Sequence, residues 1–524
     1  MAITMNKLRV GVILPDENVP AWIRQMLELV RDSEHAEISG LAFADHSGRT
    51  TALINKQYEL QLNLDKKIFR PAPNPWELSD IRKVLSNTQV LGANLHERVS
   101  RFRAMRLDLI LNLSLEDMPK SLLNVARFGA WSLRCNDVRV TMGSEIGWLE
   151  ILNEVPVMHC NIEIEREDTT QVYDGSVIAT NRASISLNQK SFFWRASHVI
   201  PRAFQKLRTR GEPEFFSKTK PVSASEQANA PSTAESTALA QKQALQTYEN
   251  KVRRRITPQP WALMAGKYTD GDKFDWGKLN LKVPPRDVFW ADPFLLKKQD
   301  TSYLFFEEYV YKTQRGRISY AIMQVNGEIG EPQVVLERPY HLSYPFLFEH
   351  RGEFYMIPET AQNRAIEVYR CARFPDQWEY HKTIMPAVQA VDATLFQHSL
   401  RWWMFVNIAH EGGSTWDELH LFYADDPLST DWTPHPMNPV VSDVRSARPA
   451  GHIFRRDGLL IRPSQDSSLR YGYALNFNSI TKLSVYEYEE ELLERIEPPN
   501  ENTLAVHTYN SSDDFVVTDV LLKK

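Results

Sequence analysis

Four residues, Asp292, Tyr344, Asp392 and Arg448, each head an apolar run in the second half of the chain, 52, 48 and 56 residues apart. The runs are WADPFLLKKQDTSYLFFEE, SYPFLFEHRGEFYMIPET, VDATLFQHSLRWWMFVN and ARPAGHIFRRDGLLIRPSQ, each an opener, an apolar strand, a turn and a second apolar strand. Counting 15 residues on from the first three openers reaches Glu307, Glu359 and Asn407, and the fourth count falls at Arg462 or Pro463. A carboxylate in an apolar run is costly unless it is paired, hydrogen-bonded or facing a wet cavity. Arginine brings a planar fork that holds carboxylate or phosphate through two hydrogen bonds. Arg448 and Arg462 facing Asp292, Glu359 and Asp392, with Tyr344, His341 and Tyr471 for stacking, suit an acidic sugar, a sugar phosphate or a nucleotide sugar. Glu307, Gln465 and Asp466 complete the candidate binding set. The same residues also fit a buried salt-bridge ring that closes the fold, and both readings stay open here.

The elements that must position these residues follow from the repeat. Spacing near 50 with several strands per unit is propeller spacing. The innermost strand of each blade lines the central channel, so openers scattered along the sequence converge on one axis. A fifth blade is expected from YGYALNFNSITKLSVYEY at 471 to 488, with closure by WALMAGKY near 261 or the C-terminal FVVTDVLL.

Upstream the pattern changes. Residues 217 to 247 contain no aromatic residue and are dominated by Ser, Thr, Ala, Gln and Pro, which predicts a flexible linker over 213–257 whose Ala/Gln-rich second half and KVRRR run at 251 to 255 are able to form a helix. Before it, LRVGVIL reads as a buried strand, AWIRQMLELVRDSE as an amphipathic helix and ISGLAFAD as a strand again. LDLILNLS followed by PKSLLNVARFG repeats the strand–helix order, so an α/β domain with a mainly parallel sheet is expected over 1–212 and an all-β propeller over 258–524. LPDENVP stands where a Gly-rich phosphate loop would follow the first strand, which disfavours a dinucleotide site. A second polar cluster, Arg134, Asn136, Asp137, Glu145, Glu150 and Asp174, falls in this half.

The 524 residues suit two domains. With 61 basic against 66 acidic side chains and a formal charge of −5, there is no bulk electrostatic case for nucleic acid. Cys135, Cys160 and Cys371 are too few and too far apart for a disulfide framework or a zinc ribbon. The first strand is too short for a signal sequence and no run approaches membrane-span length, so a cytoplasmic protein without a membrane span is expected. His159 and His198 read as structural, PHPMNP at 434 to 439 as a rigid loop, His507 as either a capping or a site residue, and no metal constellation is expected.

The strings FWADPF, HLSYPF, MIPET, VDATLF, ELHLFYA, ARPAG, RPSQD, YGYAL and HTYN resemble the propeller domain at the N-terminus of plant glucosamine inositolphosphorylceramide transferase, also found in bacterial proteins of surface-polysaccharide loci, over roughly residues 258 to 520. More distantly the pattern is similar to five-bladed glycosidases of the arabinanase and xylosidase type. That likeness implies Asp292 as catalytic base and Asp392 as the aspartate that tunes the acid, but Ala447-Arg448-Pro449 occupies the acid's turn. Arginine cannot donate a proton at neutral pH, so Glu307, Glu359 or Glu418 would have to serve, and no spacing argument selects among them. Residues 8 to 205 resemble the formyltransferase fold, with Asp174 at the family's catalytic aspartate, Ser132 at its asparagine and Arg134 at its histidine. The resemblances together imply a carbohydrate-active transferase of surface-glycan biosynthesis that binds a carbohydrate or sugar phosphate and associates with glycan-assembly enzymes. A nucleotide sugar or a folate-type compound is the donor they allow. The alternatives are a propeller glycoside hydrolase and a non-catalytic glycan-binding scaffold with a degenerate formyltransferase domain.

Overall fold

The computed structural model describes residues 7–44, 55–92, 94–114, 116–140, 146–222, 226–227, 230–249, 260–268, 274–410 and 412–523; Glu145 lies outside them. The chain divides into two compact units, one of residues 1–249 with 411–413 and one of residues 250–410 with 414–524.

The first unit is built on a nine-stranded sheet. Leu8–Leu14, buried at every position but Arg9, pairs in parallel with Ala36–Phe43 and with Leu109–Asn112, which in turn pairs in parallel with Ala130–Cys135. Beyond that strand the sheet reverses: Val157–Glu165, Thr170–Ala179 and Thr219–Pro221 add in antiparallel order. The sheet is therefore mixed, where the sequence pattern predicts a mainly parallel one. The turn between Glu165 and Thr170 shows why, because a parallel neighbour needs a crossover of a dozen or more residues.

Helix Ile185–Arg210 lays Phe192, Val199, Ala203, Phe204 and Leu207 against this sheet. Its first turn is held by buried Asp65, which accepts from the backbone N–H groups of Ile185 (3.0 Å) and Ser186 (3.1 Å). A carboxylate there meets the positive end of the helix dipole. Gln243 donates to the same carboxylate at 2.9 Å, which ties helix Thr233–Tyr248 to the first unit with Leu239 fully buried.

The expected flexible linker is corrected by that contact. Residues 212–221 continue the unit as helix Glu212–Ser217 and an edge strand, with Phe215 stacked on Trp131 and Tyr173. The low-aromatic stretch after them is Ala- and Gln-rich, good helix-forming composition, and Ser232 and Glu235 form a reciprocal capping box at its start. The KVRRR run at 251–255 lies outside the described residues.

The second unit consists of five antiparallel sheets, each of four or five strands. Four of them follow the repeat, with inner strands Val288–Lys298, Ser343–His350, Ala390–His398 and the broken pair Arg448–Pro449 and Phe454–Arg456. Ala474–Leu483 and Tyr488–Ile496 are the outer strands of the fourth blade, not the fifth blade expected from that stretch. The fifth is assembled from both ends of the unit. Trp261–Lys267 pairs residue for residue with Phe515–Leu522, and Thr503–Ala505 and Tyr509–Ser511 form the inner edge. Closing the ring with strands from both termini removes the exposed edges an open sheet would leave.

Candidate functional site

Each of the first three openers sits in a β-bulge of its inner strand. The register slips between Ala291 and Phe294, between Ser343 and Phe346, and between Val391 and Thr394. Asp292, Tyr344 and Asp392 occupy these bulges at φ of 52°, 43° and 56°. Non-glycine residues held there cost about 1–3 kcal/mol each and persist where the surroundings over-determine them. The bulge turns a strand side chain toward the propeller axis, and the contacts it reaches hold it.

Those contacts run between blades. Asp292 Oδ1 accepts from Thr508 Oγ1 at 2.8 Å and faces His507 Nε2 at 3.4 Å, while Oδ2 accepts from the Tyr344 backbone N–H at 3.1 Å. One carboxylate thus joins the fifth, first and second blades. Asp519, fully buried, accepts from the backbone N–H groups of Asp292 (2.8 Å), His507 (3.1 Å) and Thr508 (3.0 Å) and lies 2.7 Å from His507 Nδ1. Tyr344 Oη meets Thr394 Oγ1 at 2.8 Å and accepts from the Gly451 N–H at 2.8 Å, reaching the third and fourth blades. Gly451 has φ of 128°, and a Cβ there would stand 1.9 Å from the Tyr509 carbonyl oxygen.

The second knot is Asp392 with Arg448. The guanidinium gives Nε to Asp392 Oδ2 at 2.5 Å and Nη2 to Oδ1 at 3.3 Å, and reaches Glu359 Oε2 only at 3.5 Å. Its face covers the Tyr471 ring at 4.8 Å, and Trp416 stands 5.5 Å from the same ring. Of the two carboxyl groups beside Arg448, Asp392 takes the better hydrogen bonds. Burial and then neighbouring Asp392 push Glu359 up to about 8, against the pull of Arg448. Burial and the charges of Asp292 and Glu359 hold Glu307 well above the usual range. Burial raises Asp292 to about 6 despite His507. Burial opposes the charge on His507, but Asp519 and Asp292 outweigh it and its pKa is raised.

The residues ending the second strands differ from the openers in one respect. Glu307, Glu359 and Asn407 lie opposite the residues that precede the openers, and Gln465 lies opposite Arg448 itself. Among the described residues, Glu307 Oε1, Asn407 Oδ1 and Gln465 Oε1 are buried acceptors with no hydrogen-bond partner. His341 is neutral, its pKa lowered to about 4 by burial. Its Nδ1 accepts from the Gly316 N–H at 2.8 Å, so Nε2 carries the proton; it lies 3.5 Å from Glu307 Oε1 without making a hydrogen bond to it. A Cβ on Gly316 would come within 2.6 Å of that oxygen.

Not every expected residue joins this centre. Arg462, fully buried, forms a forked pair with Glu490 (2.7 and 2.6 Å) inside the fourth blade, where it faces the outer strands. Asp466 accepts from the Ser468 N–H at 2.8 Å and pairs with Arg495. The expectation that two arginines meet an anionic ligand therefore reduces to Arg448 alone, and Asp392 and Glu359 already surround it.

In the first unit Arg134 donates to Glu163 at 2.8 Å and to the backbone carbonyls of Asn136 and Asp137. Glu163, fully buried, also holds Arg139, and Asn136 donates to Glu150 at 2.7 Å. Asp137 is fully exposed, and exposed Asp174 pairs with Lys220 at 2.6 Å. The acid expected to be catalytic here thus sits at the surface, engaged with a lysine. Sequence reasoning missed Asp519, Thr508 and Glu163. FVVTDVLL and CNIEIE carry the signal that singled out DVFWADPFLL, an acid inside an apolar run.

Asp292, His507 and Asp519 offer ligand atoms within 4.8 Å of one another, but backbone N–H groups, Thr508 and the imidazole already occupy their oxygens. That arrangement fits a closing latch better than a cation cage.

Fold and site together define a five-bladed propeller with an acidic, internally latched centre, carried on one chain with a mixed α/β unit. Residues 282–509 match the family described as glucosamine inositolphosphorylceramide transferase 1, N-terminal. Similar relatives are the glucosamine inositolphosphorylceramide transferases 1 of rice (Oryza sativa subsp. japonica), 35% identical over 206 residues, and of Arabidopsis thaliana, 37% identical over 207 residues. Each alignment spans 38% of this chain and 27% of the relative. Among solved structures, the catalytic domain of a Coprinopsis cinerea α-L-arabinofuranosidase gives a TM-score of 0.34 at 12% identity, covering 50% of this chain and 97% of that one. A Cellvibrio cellulosa α-L-arabinanase with arabinohexaose gives 0.30 at 18% identity, covering 45% and 87%. At those scores nothing about activity follows.

Proposed function

We propose that this chain is a carbohydrate-active component of a glycan or glycolipid transferase system, with a sugar held at the centre of the propeller. The observation that carries the reading is the set of buried acceptors, Glu307 Oε1, Asn407 Oδ1 and Gln465 Oε1, that receive no hydrogen bond among the described residues. A buried unpaired acceptor costs about 1–3 kcal/mol, and sugar hydroxyls are donors of the right kind. Tyr471 and Trp416 supply aromatic faces beside it. Because Arg448 is already committed to Asp392, this reading favours a neutral or amino sugar over the anionic one that the arginines suggest in the sequence. The match over 282–509 supports the transferase setting, and assembly of surface glycans is the role we assign. The first unit, a formyltransferase-like fold in this reading, has its arginines locked on Glu163 and serves as a partner or structural unit with no formyl transfer.

Titration calorimetry of the full chain with glucosamine, N-acetylglucosamine, glucose and glucuronate tests this. Binding of a neutral or amino sugar with glucuronate weakest is expected. Absence of binding to all four, or a preference for glucuronate, overturns it.

A second reading rests on Glu359. A carboxyl held protonated up to about 8 beside Asp292 at about 6 is a pair pushed apart as acid and base are in glycoside cleavage. Against it stands the engagement of Asp292 by Thr508 and Tyr344. Release of reducing sugar that disappears in Glu359→Gln would favour hydrolysis.

A further inference from the structure

Away from the latch, the third blade gathers a different set of side chains. His410 follows strand Arg401–Ile408, and Glu418 and His420 stand at the start of strand Leu419–Ala424. The two strands are antiparallel neighbours, with Val406 opposite His420. Glu418 and His420 are two apart, the period that puts side chains on one face of a strand. One ligand atom from each of the three residues lies within 4.8 Å of the others, and His410 Nε2 is 3.7 Å from Glu418 Oε2. The His410 and His420 rings stand edge to face at 5.2 Å. Glu418 is 1% exposed, and its other oxygen accepts from Ser442 Oγ at 3.1 Å, which fixes the carboxylate with Oε2 toward the imidazoles.

We propose that His410, Glu418 and His420 bind a divalent transition-metal cation, zinc being the best fit. Two imidazoles and one carboxylate form a borderline-soft donor set that suits zinc and disfavours calcium or magnesium, which take oxygen donors. Zinc bonds of about 2.0–2.1 Å in a tetrahedron set ligand atoms about 3.3–3.4 Å apart, so the 3.7 Å separation of His410 and Glu418 needs only a small closure. Ser442 acts as the outer partner that orients a ligating carboxylate. Three ligands among the described residues, one of them the partly exposed His410, suit a four-coordinate site whose remaining position is open to water or ligand. The spacing hides this site in the sequence, because the ligands lie at the two ends of one loop.

The site has a consequence for the channel. The loop it would clamp carries Trp416 to the Tyr471 ring, and Asn407 holds the same loop by donating to the Thr415 carbonyl at 3.0 Å. Bound metal would fix the aromatic wall beside Arg448. This inference does not depend on the sugar reading, since zinc can be measured without any sugar.

The test is equilibrium dialysis of the chelator-stripped full chain against zinc chloride, with metal counted by mass spectrometry. Visible absorption of the cobalt-substituted protein reads the geometry. One zinc per chain is expected, with tetrahedral cobalt bands, and affinity at least about tenfold weaker in His410→Ala and Glu418→Gln. Since Glu418 is buried and its variant can lose the fold, His410→Ala, in the loop, is the deciding variant. Asp292→Asn is expected to keep its zinc. No zinc on the wild type, zinc unaffected by His410→Ala, or zinc lost in Asp292→Asn overturns the assignment.

Discussion

Replacing Glu359 by glutamine isolates one titration in the acidic centre. Glu359 has its pKa raised from 4.5 to about 8, chiefly by burial and then by Asp392. A carboxyl whose folded pKa lies above its unfolded value keeps a proton in the fold that the unfolded chain has released. Its contribution to stability is whole below about pH 4.5 and is lost as the pH climbs to about 8. At about 1.4 kcal/mol per pH unit the ceiling is about 5 kcal/mol, and sharing of the proton with Asp292 spreads the loss to about 2–5 kcal/mol. Glutamine has no such proton to lose. Calorimetric melts of the full-length wild type and Glu359→Gln from pH 5 to 8.5 should therefore diverge, with the propeller transition of the wild type falling relative to the variant. Each kcal/mol is worth about 2–4 °C in a unit of this size. A difference independent of pH would refute the reasoning. So would a wild type that gains on the variant as pH rises, because Glu359 would then be an ionised partner of Arg448 in place of a protonated neighbour of Asp392.

Arg448→Met leaves Asp392 buried without its counter-charge, and a loss of about 3–5 kcal/mol in denaturant midpoint experiments is expected; an unchanged midpoint would show that the pair adds nothing to the fold. Glu163→Gln removes the charge that Arg134 and Arg139 share inside the first unit. It should lower that unit's melting transition by a similar energy of about 3–5 kcal/mol and leave the propeller transition unmoved. Leu400, 92% exposed at φ of 63° in the third blade's hairpin turn, is held in a left-handed conformation that costs about 1–2 kcal/mol. Leu400→Gly should therefore raise the propeller's melting temperature, and a fall would show that the leucine makes a compensating contact.

The propeller was legible because its signal repeats: opener, strand, turn and strand recur with enough regularity that four blades and their polar residues align by counting. The fifth was not, because its strands come from opposite ends of the unit and no local pattern joins Trp261–Lys267 to Phe515–Leu522. Counting also failed at Arg462. The fourth inner strand is broken between Pro449 and Phe454, so the residue opposite Arg448 is Gln465, and Arg462 falls to a pair with Glu490. The linker was misjudged by composition alone, which cannot reveal that Gln243 finds Asp65 across 178 residues of sequence. Asp292 was rightly singled out as an anomaly. Its surroundings are polar but closed, a latch among three blades, and the buried acceptors without a donor among the described residues belong to the less conspicuous second-strand ends.

The central claim is that those second-strand ends receive a sugar. It is tested most directly by the affinity of the best-binding neutral or amino sugar for full-length wild type and for Glu307→Leu, which fills the same space without acceptor oxygens. A loss of about 1.5–3 kcal/mol in binding, roughly ten- to a hundred-and-fifty-fold, with a folded and equally or more stable variant is the predicted result. Unchanged affinity in a folded Glu307→Leu protein would contradict it.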